Sequence, residues 1–378
     1  EREARDAAER ELAAQSEREQ ATHRALVRAR MIATACIVLA VVAVAGAVYG
    51  FVSQRHARAA EAMAEKSRGD AEKLVGFLIE DFYDELAPTG RLETLGKLAH
   101  MTVAYYDGLP PELVTAQTRI NRAMAQVREG AALNASGRTD AAFKLFGEAQ
   151  QTFETLYAAG DHGDAVSFGL ALAIFEQGRT FLLGGRGTPQ QLIRANDLLR
   201  PMVYRANGLR EAKLTYADAL NYLSHSQGYA QGVATSTEGL KVMAGLGAIQ
   251  LTDLDATASW ADLADSQARY LLVLDRADEA RKLELQVYDL AEKVLARRPG
   301  DLHSLWNRYF AADLLSRIAA RRHDDTAAAD YAARSVSAGQ DVVRFNPSDL
   351  QGWGFWTTGL RDVADQQYAQ GQIGQAIA

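Results

Sequence analysis

The stretch GAALNASGRTDAAFKLFGEA, residues 130–149, decides how the rest of the chain reads. Small residues fall at Gly130, Ala142 and Ala149, large apolar ones at Leu133 and Phe146, and Gly137 stands between the two halves. This is the pattern of two amphipathic helices joined by a tight turn. The small residues let the helices cross closely, the large ones fill the holes of the facing helix, and Gly137 closes the turn at positive φ.

Outward from this hairpin the pattern recurs. Large aromatics stand at Phe168, Tyr216, Trp260, Trp306 and Trp353, 44 to 48 residues apart, and candidate turns at Gly137, Gly185, Gly232, Asp275, His323 and Gly371 keep a spacing of 43 to 48. Two registers drifting together mark stacked helical hairpins. The units resemble tetratricopeptide repeats (TPR), most clearly the first, where Gly130, Leu133, Gly137, Ala142, Phe146 and Ala149 match the repeat's consensus. Ala280, the pair Ala328 and Ala332, and Gly371 with Ala376 keep parts of it. The strings Pro299-Gly300-Asp301 and Pro347-Ser348-Asp349, 48 residues apart, stand where the consensus places Pro. There are departures. Glu284 occupies the aromatic position, so Leu283 or Leu285 is expected to fill that hole. The units over 163–204 and 210–246 lack most consensus positions, and the loop 184–189 exceeds a tight turn. A unit longer than about 34 residues implies extended second helices, as over Arg281–Arg297.

Before the repeats, Leu92, Leu95, Leu98, Val103 and Tyr106 predict an amphipathic helix ending at Gly108-Leu109-Pro110-Pro111, paired with a helix whose stripe runs from Leu74 to Leu86. Further upstream, Met31 to Val52 is free of charge and, at about 1.5 Å per residue, long enough to span a bilayer. Arg24, Arg28 and Arg30 precede it; Arg55, His56 and Arg58 follow. The small Arg excess before it, taken together with the family resemblance given below, favours a cytosolic N-terminus and periplasmic repeats, in a single-pass protein of a bacterial inner membrane. Within the span Gly46 and Gly50 form a GxxxG, a candidate face for a homodimer. Residues 1–30 carry opposite charges at i,i+4 (Glu1/Arg5, Asp6/Arg10) and predict a charged helix. The expected organisation is therefore a juxtamembrane helix (1–30), a transmembrane helix (31–52), a linking helix and hairpin (53–111), and an all-α TPR-like solenoid (112–378) whose last repeat is truncated.

Composition and motifs exclude several chemistries. Residues 59–378 carry a net charge of −9, against a nucleic-acid partner, which needs clustered Lys and Arg. Cys36 is the only cysteine, so neither an internal disulfide nor thiol catalysis is available. Gly90 to Lys97 lacks the spacing and hydroxyl of a phosphate-binding loop. His162 with Asp164, and His323 with Asp324 and Asp325, fall at expected turns and read as solvated rather than as metal ligands. No catalytic, cofactor or metal residue is assigned, and the chain is expected not to be an enzyme. Trp260, Trp306 and Trp353 are expected in the core because they recur once per unit; Trp356 is off that register. Asn221 and Asn307 lack the neighbours of a carboxylate clamp.

The stretch Leu86 to Leu95 with Tyr105-Tyr106, set between an apolar span and long repeats, is similar to the C-terminal half of bacterial multidomain signalling proteins. Their preceding part is a Toll/interleukin-receptor domain, a STAND-type NTPase, a kinase or a cyclase. The resemblance implies a membrane-anchored scaffold or sensing arm that binds a protein or peptide in the solenoid groove and regulates an upstream domain. The alternatives are an oligomerising module that clusters effector domains, or the regulatory part of a larger enzyme.

Overall fold

In the computed structural model the described residues are 92–371 without Gly184, Ser348, Asp349 and Gln370, together with scattered positions between Leu39 and Gly69. The chain divides into two compact units, Glu1–Leu74 and Val75–Ala378. Most of the first, including the helix expected over residues 1–30, lies outside the described residues, as does the helix expected over 74–86. So does most of Met31–Val52. An added Cβ at Gly46 or Gly50 would meet nothing within 4 Å. Among the described residues no helix is long and apolar enough to cross a membrane, which overturns the placement as a single-pass inner-membrane protein. Each long described helix keeps a charged face, as the helix 139–158 does with Asp140, Lys144, Glu148 and Glu154, and such charges are costly in hydrocarbon.

The second unit is a succession of helices: α1 (Leu92–Asp107), α2 (Ala116–Ala135), α3 (Thr139–Ala158), α4 (Asp164–Arg179), α5 (Pro189–Tyr204), α6 (Arg210–Ser224), α7 (Tyr229–Gly245), α8 (Leu254–Val273), α9 (Ala277–Arg297), α10 (Leu302–Arg321), α11 (Asp325–Phe345) and α12 (Leu350–Ala369). Each packs on the next. In addition the first helices of the hairpins, α2, α4, α6, α8 and α10, touch one another in order, whereas the second helices make no comparable contacts among themselves. The first helices therefore form the inner, tighter layer of a TPR-like α solenoid, and the second helices the outer one.

Local chemistry sets the ends of these helices. Thr115 and Thr118 bond each other's backbone in a capping box that starts α2. Asp253, Asp301 and Asp324 cap α8, α10 and α11 by accepting from Ala256, Ser304 and Ala327 N–H. Three of the turns within hairpins share one closure. Arg138, Arg276 and Asp324 N–H donate to the carbonyls of Leu133, Leu271 and Ala319, while φ is +79° at Gly137, +61° at Asp275 and +58° at His323. His323 is thus a turn residue and Asp324 a helix cap. Gly232, expected at a turn, instead lies inside α7 against the Tyr270 ring.

The core follows the small-and-large logic of residues 130–149. Phe146 is fully buried, and a Cβ on Gly130 would stand 2.5 Å from its Cε1. Gly169 of α4 receives the fully buried Phe153 in the same way, Gly178 receives Leu192, and Gly239 receives Leu263. Two expectations are corrected. Glu284 itself, and neither Leu283 nor Leu285, takes the buried aromatic position of α9. Trp260 is buried and Trp306 partly so, but Trp353 is 41% exposed and its Nε1 donates to the Pro347 carbonyl; the half-buried Trp356 packs on Gly339.

Candidate functional site

The inner layer carries polar and aromatic side chains that hairpin packing does not require. On α8, Asp262, Asp265 and Arg269 fall on one stripe; on α10, Trp306, Phe310, Asp313 and Arg317 do. On α6 the equivalent face presents Asp218 and Tyr222, and on α4 Glu176 and Arg179. These groups link consecutive first helices. Arg179 Nε donates to Glu176 at 2.7 Å, and its guanidinium lies near Tyr222 of α6. Ser259 of α8 lies near Asp218. His303 Nε2 lies 3.9 Å from Asp262 Oδ2. Arg269 grips Asp265 through Nε and an Nη at 2.9 Å each and lies 5.4 Å above the Phe310 ring. Phe310, Trp306 and Tyr309 then meet Phe355 of α12, with centroids 5.6 Å apart in each case.

The electrostatics are those of a recessed wall. His303 keeps 60% of its side chain open to solvent, yet groups from α6, α8 and its own helix surround it. Burial raises the Asp218 carboxyl above its ordinary range. Asp262 is pushed up to about 6 by burial, with His303 opposing and Asp218 and Asp265 adding to the rise. Asp262 in turn raises His303 against the effect of burial. Asp313 is raised by burial, and Arg269 and Arg317 oppose it. Such a wall holds several partly desolvated carboxylates with fewer cations beside them, next to an aromatic cluster. It can attract and orient a cationic group and receive an apolar one. Among the described residues no group of three or more His, Cys, Asp or Glu is arranged to hold a metal.

A second hollow of about 420 Å³ lies on the first hairpin, lined by Arg119 and Arg122 of α2 and Glu148, Gln151 and Thr152 of α3. Its charges are largely engaged: Arg122 bonds Asp107 at 2.6 Å and Glu148 accepts from Gln126 at 2.9 Å.

None of the inner-wall residues stands out as a motif, but one signal was present. Asp265/Arg269 and Asp313/Arg317 repeat an i,i+4 Asp–Arg pair 48 residues apart, the period of the fold itself. Asn307, without the neighbours of a clamp, donates to the Ala258 carbonyl at 3.1 Å instead.

No protein-family model matches the chain and no curated protein matches it. Among solved structures it is similar to TTC0263, a thermophilic TPR protein of Thermus thermophilus, at 16% identity over 63% of this chain and 98% of that one, with a TM-score of 0.35. It is also similar to a monomeric mutant of IFIT1 with m7Gppp-AAAA, at 13% identity over 75% of this chain and 53% of that one, with a TM-score of 0.39. The TPR-like character of the fold stands on its own contacts, above all Gly130 against Phe146 and the shared closure of the turns.

Proposed function

We propose that the chain is a non-catalytic scaffold whose inner layer binds a protein segment carrying Lys or Arg beside an aromatic or large aliphatic residue. The observation that carries this reading is the wall formed by Asp218, Asp262 and Asp265 next to Trp306, Phe310 and Phe355, on the face where consecutive first helices adjoin. A basic side chain would meet carboxylates that are already partly stripped of water, and the neighbouring apolar residue would cover the aromatic cluster. The sign of the wall suits a basic segment and not a nucleic acid. The sequence resemblance supports a finer version, in which occupancy of this wall regulates a signalling domain.

The test is fluorescence-polarisation titration of a labelled peptide library in which Lys or Arg is placed next to Trp, Phe or Leu. Binding is expected, with Asp262→Asn weakening the best peptide roughly five- to tenfold and the charge-reversed peptide failing to bind. Equal binding of the basic and acidic peptides, or none of either, would overturn the reading.

A further inference from the structure

The inward stripe of α9 runs through Ala280, Glu284, Val287, Ala291 and Val294, all buried, with Glu284 fully excluded from solvent. Neither oxygen of Glu284 receives a hydrogen bond from an N–H or hydroxyl among the described residues. An ionised carboxylate in such a place would pay its full desolvation cost without compensation. Its surroundings add to the difficulty. From α8 it faces Asp265 and Arg269, and from α10 it faces Asp313. The cations nearby are already engaged: Arg269 by both Asp265 oxygens, and Arg317 by Asp313 at 3.8 Å. A fully buried carboxyl with no donor of its own, near other carboxyls, keeps its proton.

We propose that Glu284 holds a proton in the folded chain, so that α9 packs into the middle of the stack around a neutral carboxylic acid. The proton belongs to Glu284 because that side chain has no cation of its own, whereas Asp265 has Arg269. Burial, first, and then the charge of Asp265 raise Glu284 well above the ordinary carboxyl range. The stability this group contributes is therefore complete below the unfolded value of about 4.3 and is lost as pH rises through the folded value. Above that value Glu284 becomes an anion beside Asp265 and Asp313, and Arg269 is drawn between two acids. The middle of the stack loosens as pH rises toward that value. This device is independent of what the inner wall binds.

The experiment is a pH titration of the full chain followed through the side-chain carboxyl carbon of Glu284, together with denaturant unfolding of the chain and of Glu284→Gln. The carbon is expected to titrate well above the ordinary range. Gln is neutral at any pH. The unfolding constant of the variant relative to the natural chain should therefore fall about tenfold per pH unit above about 4.3, and level off where Glu284 titrates. Asp265→Asn serves as the second variant: it removes the neighbouring negative charge and should lower the pH at which Glu284 titrates. A Glu284 carbon titrating in the ordinary range, or a stability ratio flat from pH 4 to 9, would overturn the proposal.

Discussion

At the scale of single residues, stability is decided by where a Cβ can be tolerated. Gly169 and Gly147 are both helical glycines, and by propensity alone Ala would favour both by up to about 1 kcal/mol. Their surroundings separate them. A Cβ on Gly169 would penetrate the Phe153 ring, which is fully buried and has no room to move, while one on Gly147 would meet nothing within 4 Å. Gly169→Ala is therefore expected to cost about 1–3 kcal/mol from overpacking, and Gly147→Ala to stabilise by up to about 1 kcal/mol. Chemical denaturation of the two variants measures both; a stabilised Gly169→Ala would show that the helices do not cross as closely as described. Glu284 is the counterexample to reading residues by type. A carboxylic acid in a sequence reads as solvated, so Leu283 or Leu285 was expected inside; helix phase placed Glu284 there, because Ala280 and Val287 on either side of it define the stripe.

At the scale of elements, the junctions between hairpins are held by capping groups that double as ionic links. Asp253 caps α8 through Ala256 N–H at 3.0 Å and receives Arg210 of α6 through two bonds of 2.6 and 2.8 Å. Arg210 also bonds Asp255, which binds Arg298 after α9. Burial pulls the Asp253 carboxyl upward, but the bonds from Arg210 and Ala256 outweigh it and hold it below the ordinary range. Its stabilising effect is thus present above the unfolded value of about 3.9 and is lost as pH falls through the lower folded value. Asp253→Ala should cost about 1–2 kcal/mol at neutral pH. Asp253→Asn should cost less, since it keeps the cap, and should show less acid loss in unfolding monitored between pH 5 and 2. The elements were legible in the sequence wherever small residues, turn residues and Pro spoke together: α1, the hairpin of α2 and α3, and the turns at Asp275 and His323. The turn placed at Gly232 was not, because a glycine that admits the Tyr270 ring looks the same in sequence as one that bends the chain. The inner wall was hidden for a related reason. Its Asp and Arg residues are ordinary helix-surface types, and only curvature brings those of successive helices together.

At the scale of the whole second unit, function and pH are joined through the wall. Between pH 8 and 5 Asp262, pushed up to about 6 by burial, loses its charge, while His303, raised chiefly by Asp262, keeps a positive charge to higher pH than an ordinary imidazole. Affinity for a basic peptide is expected to fall roughly five- to tenfold over that interval, and His303→Gln should flatten part of the fall; an affinity that rises toward pH 5 would exclude these two groups from the contact. The difference between the layers has a mechanical consequence. First helices pack closely on their successors, whereas second helices are joined mainly by long side chains, as Arg194 of α5 is to Glu154 of α3 and Tyr204 of α5 to Glu238 of α7, so the stack behaves as a bar with one stiff side and one compliant side. Bending it spreads or closes the gaps between α3, α5, α7, α9 and α11 and leaves spacings within the first-helix layer nearly unchanged. The charged and aromatic wall lies along that stiff side, so the molecule can flex under load while the distances a bound segment would measure are preserved.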